Sequence, residues 1–163
     1  MKKLCIIPCG RKKIWDHDPE IGPTKAKEAY IGVFHRLCQS YAKQYFDDWA
    51  ILSAKHGFLL PDDIVSENYD VSFSMNKQEV IDMGDLRKQS IDKKMERYDH
   101  IIVLGGKKYQ PIILEVFQNA DLVEFPLKGT RGIGEMQQRL KRSIENQQPI
   151  HQVNMYKTRR IKS

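Results

Sequence analysis

Two short loops hold the residue types from which chemistry could be built. The first, Pro8-Cys9-Gly10-Arg11-Lys12-Lys13, sets a thiol, a glycine and three cations in succession. Clustered positive charge lowers a thiol's pKa and favours the thiolate, so Cys9 is a candidate nucleophile. Lys12 and Lys13 offer contacts to an anion, because cations in a loop at a strand end are ready phosphate partners. A thiol after a buried strand also serves as a small packed residue, and residue type alone leaves both roles open.

The second loop runs from Ser53 through Ala54, Lys55 and His56 to Gly57. It gathers a hydroxyl, a cation and a group that titrates near neutral pH within four residues. Adjacent residues on an extended segment point to opposite sides, so Lys55 and His56 are not expected to face one ligand. The plain alternative is a tight turn, with Gly57 as its permissive residue and His56 on the surface.

These loops need strands to hold them. Leu4 to Ile7 is a short apolar run stopped by Pro8-Cys9-Gly10, which reads as a buried strand entering a loop. Thr24 to Phe46 carries apolar residues near helical period, with Thr24 placed to cap a long helix over 24–46. Further strands are expected near 49–53, 100–104 and 122–125, that at 100–104 being β-branched and continuous. Helices are expected over Gln78 to Tyr98 with a break at Gly84, from Tyr109 to Asn119, and over Glu135 to Asn146. Strand-helix alternation implies an α/β fold: a single domain with a mostly parallel four-stranded sheet, helices on both faces and a basic C-terminal helix. In such sheets ligands sit beyond the carboxyl ends of the strands, which directs attention to the loops after Pro8, Ser53, Gly105 and Pro126.

The chain has 163 residues, enough for one sizeable core and too few for two ordinary domains, so residues 1–150 read as one domain and 151–163 as a basic tail. Hydrophobic residues make up 40% and charged residues 29%, a globular balance. No apolar run approaches the length of a bilayer span or a signal peptide, so a cytoplasmic protein without membrane association is expected. Three sparse cysteines with no ligand spacing argue against a disulfide framework, and no metal or cofactor is expected. The net charge of +6 is uneven: residues 128–163 hold nine Lys or Arg against two acidic residues. Such asymmetry suggests a polyanionic partner, although a solvated helix face with a basic end would look alike.

Leu52-Ser53-Ala54-Lys55-His56-Gly57-Phe58-Leu59-Leu60-Pro61, with Tyr69-Asp70 behind it, resembles the signature of the YaaA-like peroxide-stress proteins. Ile7 to Lys13 resembles that family's lysine-bearing first loop, Ala29 to Phe34 its tyrosine-glycine helix start, and Ile102 to Tyr109 its later strand and loop. Lys55-His56 stands where that family commonly carries an apolar residue and a tyrosine. The Pro8-Cys9 to Lys13 spacing also resembles a motif of archaeosine synthase, whose domain is similar in fold to uracil-DNA glycosylases. These resemblances imply a nucleic-acid partner, DNA ahead of RNA, and a base-processing activity. On that reading Cys9, Lys13, Ser53 and His56 serve the chemistry, Asp70 orients a water, and Tyr30 or Tyr69 stacks on a base. Gly129-Thr130-Arg131-Gly132-Ile133-Gly134 resembles the glycine hairpin of helix-hairpin-helix DNA-binding motifs, with Lys128, Arg139 and Arg142 as further phosphate contacts. A glycine-rich strand-to-helix turn is its plain alternative. Two other functions remain open: duplex binding without catalysis, and a small enzyme acting on a nucleotide or other phosphate.

Overall fold

A computed structural model describes residues 2–74 and 78–152. Four strands pair in parallel as the alternation predicts: β1 (Lys3–Pro8) lies between β3 (Trp49–Ser53) and β6 (His100–Val103), and β7 (Leu122–Glu124) follows β6. A fifth strand, β4 (Gly57–Leu59), was not expected from sequence. It returns antiparallel on β3 through the Ala54–His56 turn and completes the order β4-β3-β1-β6-β7. Three residues are too few to show a period, and Gly57 reads as a breaker until its place in the turn is known.

The helix expected over 24–46 is two helices. Thr24 does not cap it: Thr24–Lys25 form β2, paired antiparallel with β5 (Ile64–Val65), and the Thr24 hydroxyl donates to the Gly22 carbonyl. After the short α1 (Ala26–Ala29), Tyr30 bridges Lys13, and the Ile31 amide donates to the Lys12 carbonyl. These backbone groups therefore serve a tertiary pairing, which overrides local helical preference. The helix resumes as α2 (Val33–Tyr45) behind Gly32. The expected helix over 78–98 shortens to α3 (Met83–Asp92), whose start is set by the Asp82 carboxylate accepting from the Asp85 amide at 2.8 Å. Gly84 lies inside α3 and does not break it. A single 3-10 turn (Lys107–Tyr109) leads into α4 (Gln110–Val116), and α5 (Ile133–Asn146) closes the domain.

Alternate strand residues face opposite sides, and both sides are covered. Cys5, Ile7, Ile51 and Ile102 pack under α2 and α5, against Cys38, Tyr41, Ala42 and Leu140. Leu4, Ile6, Leu52, Ile101 and Val103 pack under α3 and α4, against Leu86 and Ile113. The chain thus leaves β1 toward one face and β6 toward the other. Neighbouring strands whose connections diverge open a crevice at their carboxyl ends. The tail boundary moves as well: His151 is buried on α2, so the domain continues through at least 152, and residues 153–163 lie outside the described part.

Candidate functional site

At the end of β1 the Cys9 amide donates to the Leu52 carbonyl at 3.2 Å, which ties the first loop to β3. His35 of α2 braces the same point. Its Nδ1 donates to the Pro8 carbonyl at 2.9 Å, and its Nε2 accepts from Gln39, whose amide also donates to the Lys27 carbonyl. Burial lowers the His35 pKa to about 4, which keeps the ring neutral in this tautomer. The chain then turns at Gly10 and folds the Lys13 side chain inward until the residue is 3% exposed. The Lys13 ammonium donates to the Arg11 carbonyl at 2.9 Å and stands 4.4 Å from the centre of the Tyr69 ring. Among the described residues no carboxylate comes within the 4.0 Å of an ion pair to it.

Tyr69 joins the two loops. The Ser53 hydroxyl accepts from the Lys55 and His56 amides at 3.2 and 3.1 Å. With both lone pairs occupied, it donates its one proton to the Tyr69 hydroxyl, 2.8 Å away. Tyr69 is hydrogen-bonded in turn to the Tyr30 hydroxyl. Burial raises the Cys9 pKa; the Lys13 charge, the Tyr69 hydroxyl and the Ala54 amide pull it down without reversing that rise. This corrects the expectation that clustered cations make Cys9 a ready thiolate: Arg11 and Lys12 are exposed, and only Lys13 bears on the sulfur. Burial likewise lowers the Lys13 pKa, opposed by Cys9, Asp16 and Asp70.

Cys9 and Lys13 line a cavity of about 320 Å3 at the carboxyl ends of β1, β3 and β6. One wall is Phe73 and Tyr109, packed edge to face at 5.8 Å. Tyr109 can lie there because residue 105 is glycine: a β-carbon would come within 2.6 Å of its ring. Arg11, Asp70 and Lys108 form the exposed rim, with Arg11 and Asp70 at 4.0 Å. Larger grooves run along α5, about 670 Å3, and between α3 and α4, about 510 Å3. Neither is lined by a thiol or a buried cation, whereas the smaller cavity is lined by both.

The structure therefore unites much of the first two loops and reassigns several roles. Ser53 is wholly buried and serves the turn and Tyr69, not a ligand. Tyr30 is buried, and Tyr69, as little exposed as Tyr109, faces a separate groove with Arg11 and Asp70; the rings that line the Cys9–Lys13 cavity are Phe73 and Tyr109. His56 sets its ring edge-on to Tyr69 at 4.8 Å, outside the cavity lining, and burial, then Lys55 and Lys13, lower its pKa. Lys55 is exposed, 5.6 Å from the Tyr69 ring. Asp70 reaches the rim with its carboxylate largely in solvent.

The fourth loop stays apart. Leu122–Glu124 is a strand, so Gly129 and Gly132 belong to a strand-to-helix turn, with Gly134 in the first turn of α5, and not to a helix-hairpin-helix. Arg131 and Arg139 both pair with Glu135, and Arg131, Arg139 and Arg142 line the α5 groove; Lys128 is exposed on the turn. Sequence reasoning missed His35, Phe73, Lys108 and Tyr109. Tyr109 follows Gly105-Gly106 at a strand end and could have been singled out; Phe73 sits in irregular chain without a pattern to mark it.

All of these loops fall within residues 4–142, the span matched by the model of DUF6884, a family of unknown function. The chain belongs to that family. The DUF6884 match takes in the cavity, Tyr69 and the basic face of α5, and ends before the C-terminal residues that pack on α2. An uncharacterized protein of Bacillus subtilis strain 168, YfjM, is 47% identical over 150 residues, covering 92% of this chain and 100% of that protein.

Proposed function

We propose that this protein associates with nucleic acid, takes one nucleotide unit into the Cys9–Lys13 cavity and processes its base. The observation that carries this reading is the cavity's composition. An aromatic wall of Phe73 and Tyr109 suits a planar base, a cationic rim of Arg11 and Lys108 suits phosphate, and a buried amine and a half-buried thiol stand behind them. Its volume of about 320 Å3 is at the small end of ligand sites and suits a single nucleotide unit, which a duplex would have to extrude. The resemblance of the first two loops to YaaA-like proteins supports the same partner, with DNA the first choice. The α5 groove favours a second contact, in which Arg142 and its neighbours hold the backbone of the same strand. Three free thiols suit a cytoplasmic protein, and no helix among the described residues is long and apolar enough to cross a membrane.

A panel of duplex, single-stranded and modified oligonucleotides, with mononucleotides alongside, tests the reading through binding and base release. Tyr109→Ala should weaken binding roughly 5- to 150-fold, since stacking on an aromatic contributes roughly 1–3 kcal/mol per base. Binding of mononucleotides alone would turn the reading to a small-molecule enzyme. Tight duplex binding that ignores Tyr109→Ala would leave only the α5 surface.

A further inference from the structure

We propose that Lys13 is the nucleophile of this site: its amine attacks C1′ of a deoxyribose held in the Cys9 cavity and carries the sugar as a Schiff base. The inference rests on the nucleotide-processing reading and names its reaction. Buried lysines are ordinarily paired with a carboxylate, because a buried charge without a partner is unstable. Lys13 is 3% exposed, lines the cavity, and among the described residues has no carboxylate within 4.0 Å. One carbonyl, that of Arg11, receives one of its protons. A neutral amine satisfies that arrangement and keeps a lone pair for the cavity; burial shifts the group toward this form.

The neighbours divide the other roles. Arg11 and Lys108 stand at the exposed rim and can hold phosphate, so Lys13 is not needed for it. Asp70, the sequence's candidate for activating water, is tied to Arg11 with its carboxylate largely in solvent, a poor place to orient a water against the sugar. Burial holds the Cys9 thiol protonated, which leaves the amine as the better nucleophile.

The reaction balances without a further reagent. The Nζ lone pair forms a bond to C1′, the glycosidic C1′–N bond breaks, and the departing base takes an amine proton. The bond from C1′ to O4′ then breaks, O4′ leaves with a proton from solvent, and C1′ and Nζ become an iminium. Water adds to C1′ and returns the free amine and the sugar aldehyde. The same iminium forms directly from an abasic sugar aldehyde by loss of water.

That last property supplies the test. The full chain is incubated with a duplex bearing one abasic site and sodium borohydride, which reduces the iminium to a stable amine, and the adduct is mapped by peptide mass spectrometry. The expected result is one covalent adduct at Lys13. Lys13→Ala and Lys13→Arg should each reduce it at least 100-fold, the arginine variant keeping the cation while lacking the amine. Thermal unfolding checks both variants, and the wild-type map decides even if neither folds. Binding or base release from ordinary oligonucleotides with no adduct, or an adduct at another lysine, overturns Lys13 as nucleophile and leaves the nucleotide reading standing. So does base release retained in Lys13→Arg. Failure to bind any oligonucleotide overturns both.

Discussion

Ser53 and Gly57 show how single residues hold the second loop in a shape that its composition alone does not announce. Ser53 joins two amides to Tyr69 and has no exposure. Ser53→Ala removes the acceptor of both amides and one partner of Tyr69, and is expected to destabilise the protein by about 1–3 kcal/mol, read from urea unfolding. Because Tyr69 also faces Cys9 and Lys13, the same variant should loosen the cavity and weaken oligonucleotide binding. Gly57 has φ +72°, and a β-carbon there would come within 2.1 Å of the Gln89 side-chain oxygen. Gln89 brackets the turn, donating to the His56 carbonyl and accepting from the Phe58 amide, both at 2.8 Å. Gly57→Ala should therefore cost more than about 1 kcal/mol, from backbone strain together with displacement of Gln89. A melting temperature unchanged by this substitution would mean that the turn adapts at no cost.

Among the elements, α5 has two faces with different work. Leu140 and Ser143 are buried beside α2, while Lys141 and Arg142 point away from that contact. Replacing Arg139, Lys141 and Arg142 with Gln should weaken binding to all sequences alike. It should also flatten the dependence of log K on log salt, by about 0.9 for each phosphate that the variant no longer neutralises. Arg139 already pairs with Glu135 and reaches the Pro126 carbonyl, so Arg142 should carry more of the effect than Arg139. Fluorescence anisotropy over a salt series reads both values; an unchanged slope would place the backbone-binding surface elsewhere.

The whole molecule is closed at the amino ends of its strands by the segment after α5. Tyr41 accepts from the Ile150 amide at 2.9 Å and is hydrogen-bonded to His151 Nδ1, while Glu124 accepts from the Gln152 amide and pairs with buried His100. Burial, then Lys3 and His100 against the pull of Glu124, lowers the His151 pKa to about 4. The neutral ring is the form that packs, and the unfolded chain takes up the proton first, near the ordinary histidine value of about 6.5. This stabilisation is therefore complete above about pH 6.5 and is lost as pH falls toward about 4. His35 adds a contribution of the same sign over the same range. The melting temperature should fall across that window, and His151→Phe, which keeps the ring packed on Phe46, should flatten part of the fall. A pH profile identical to that of the parent would assign the whole effect to other groups.

Much of this architecture was readable in the residues. Continuous apolar runs and a helical period depend on local order along the chain, and they predicted the four parallel strands, the covering helices and the loops that meet at the strand ends. The pairing of Cys9 with Lys13 was visible for the same reason, since both sit in one loop after a buried strand. The rest depended on contacts between distant segments. Tyr30 to Gly32 left the helix because its backbone pairs with Lys12 and Lys13, and β4 formed because β3 offered an edge. Burial divided the titratable groups: it took Ser53 and Tyr30 out of reach of a ligand and raised the Cys9 pKa. It also left Lys13 lining a cavity, with no carboxylate among the described residues within ion-pair distance. Residue type and spacing state which groups a loop can offer; only the surrounding low-dielectric packing decides their protonation and their access.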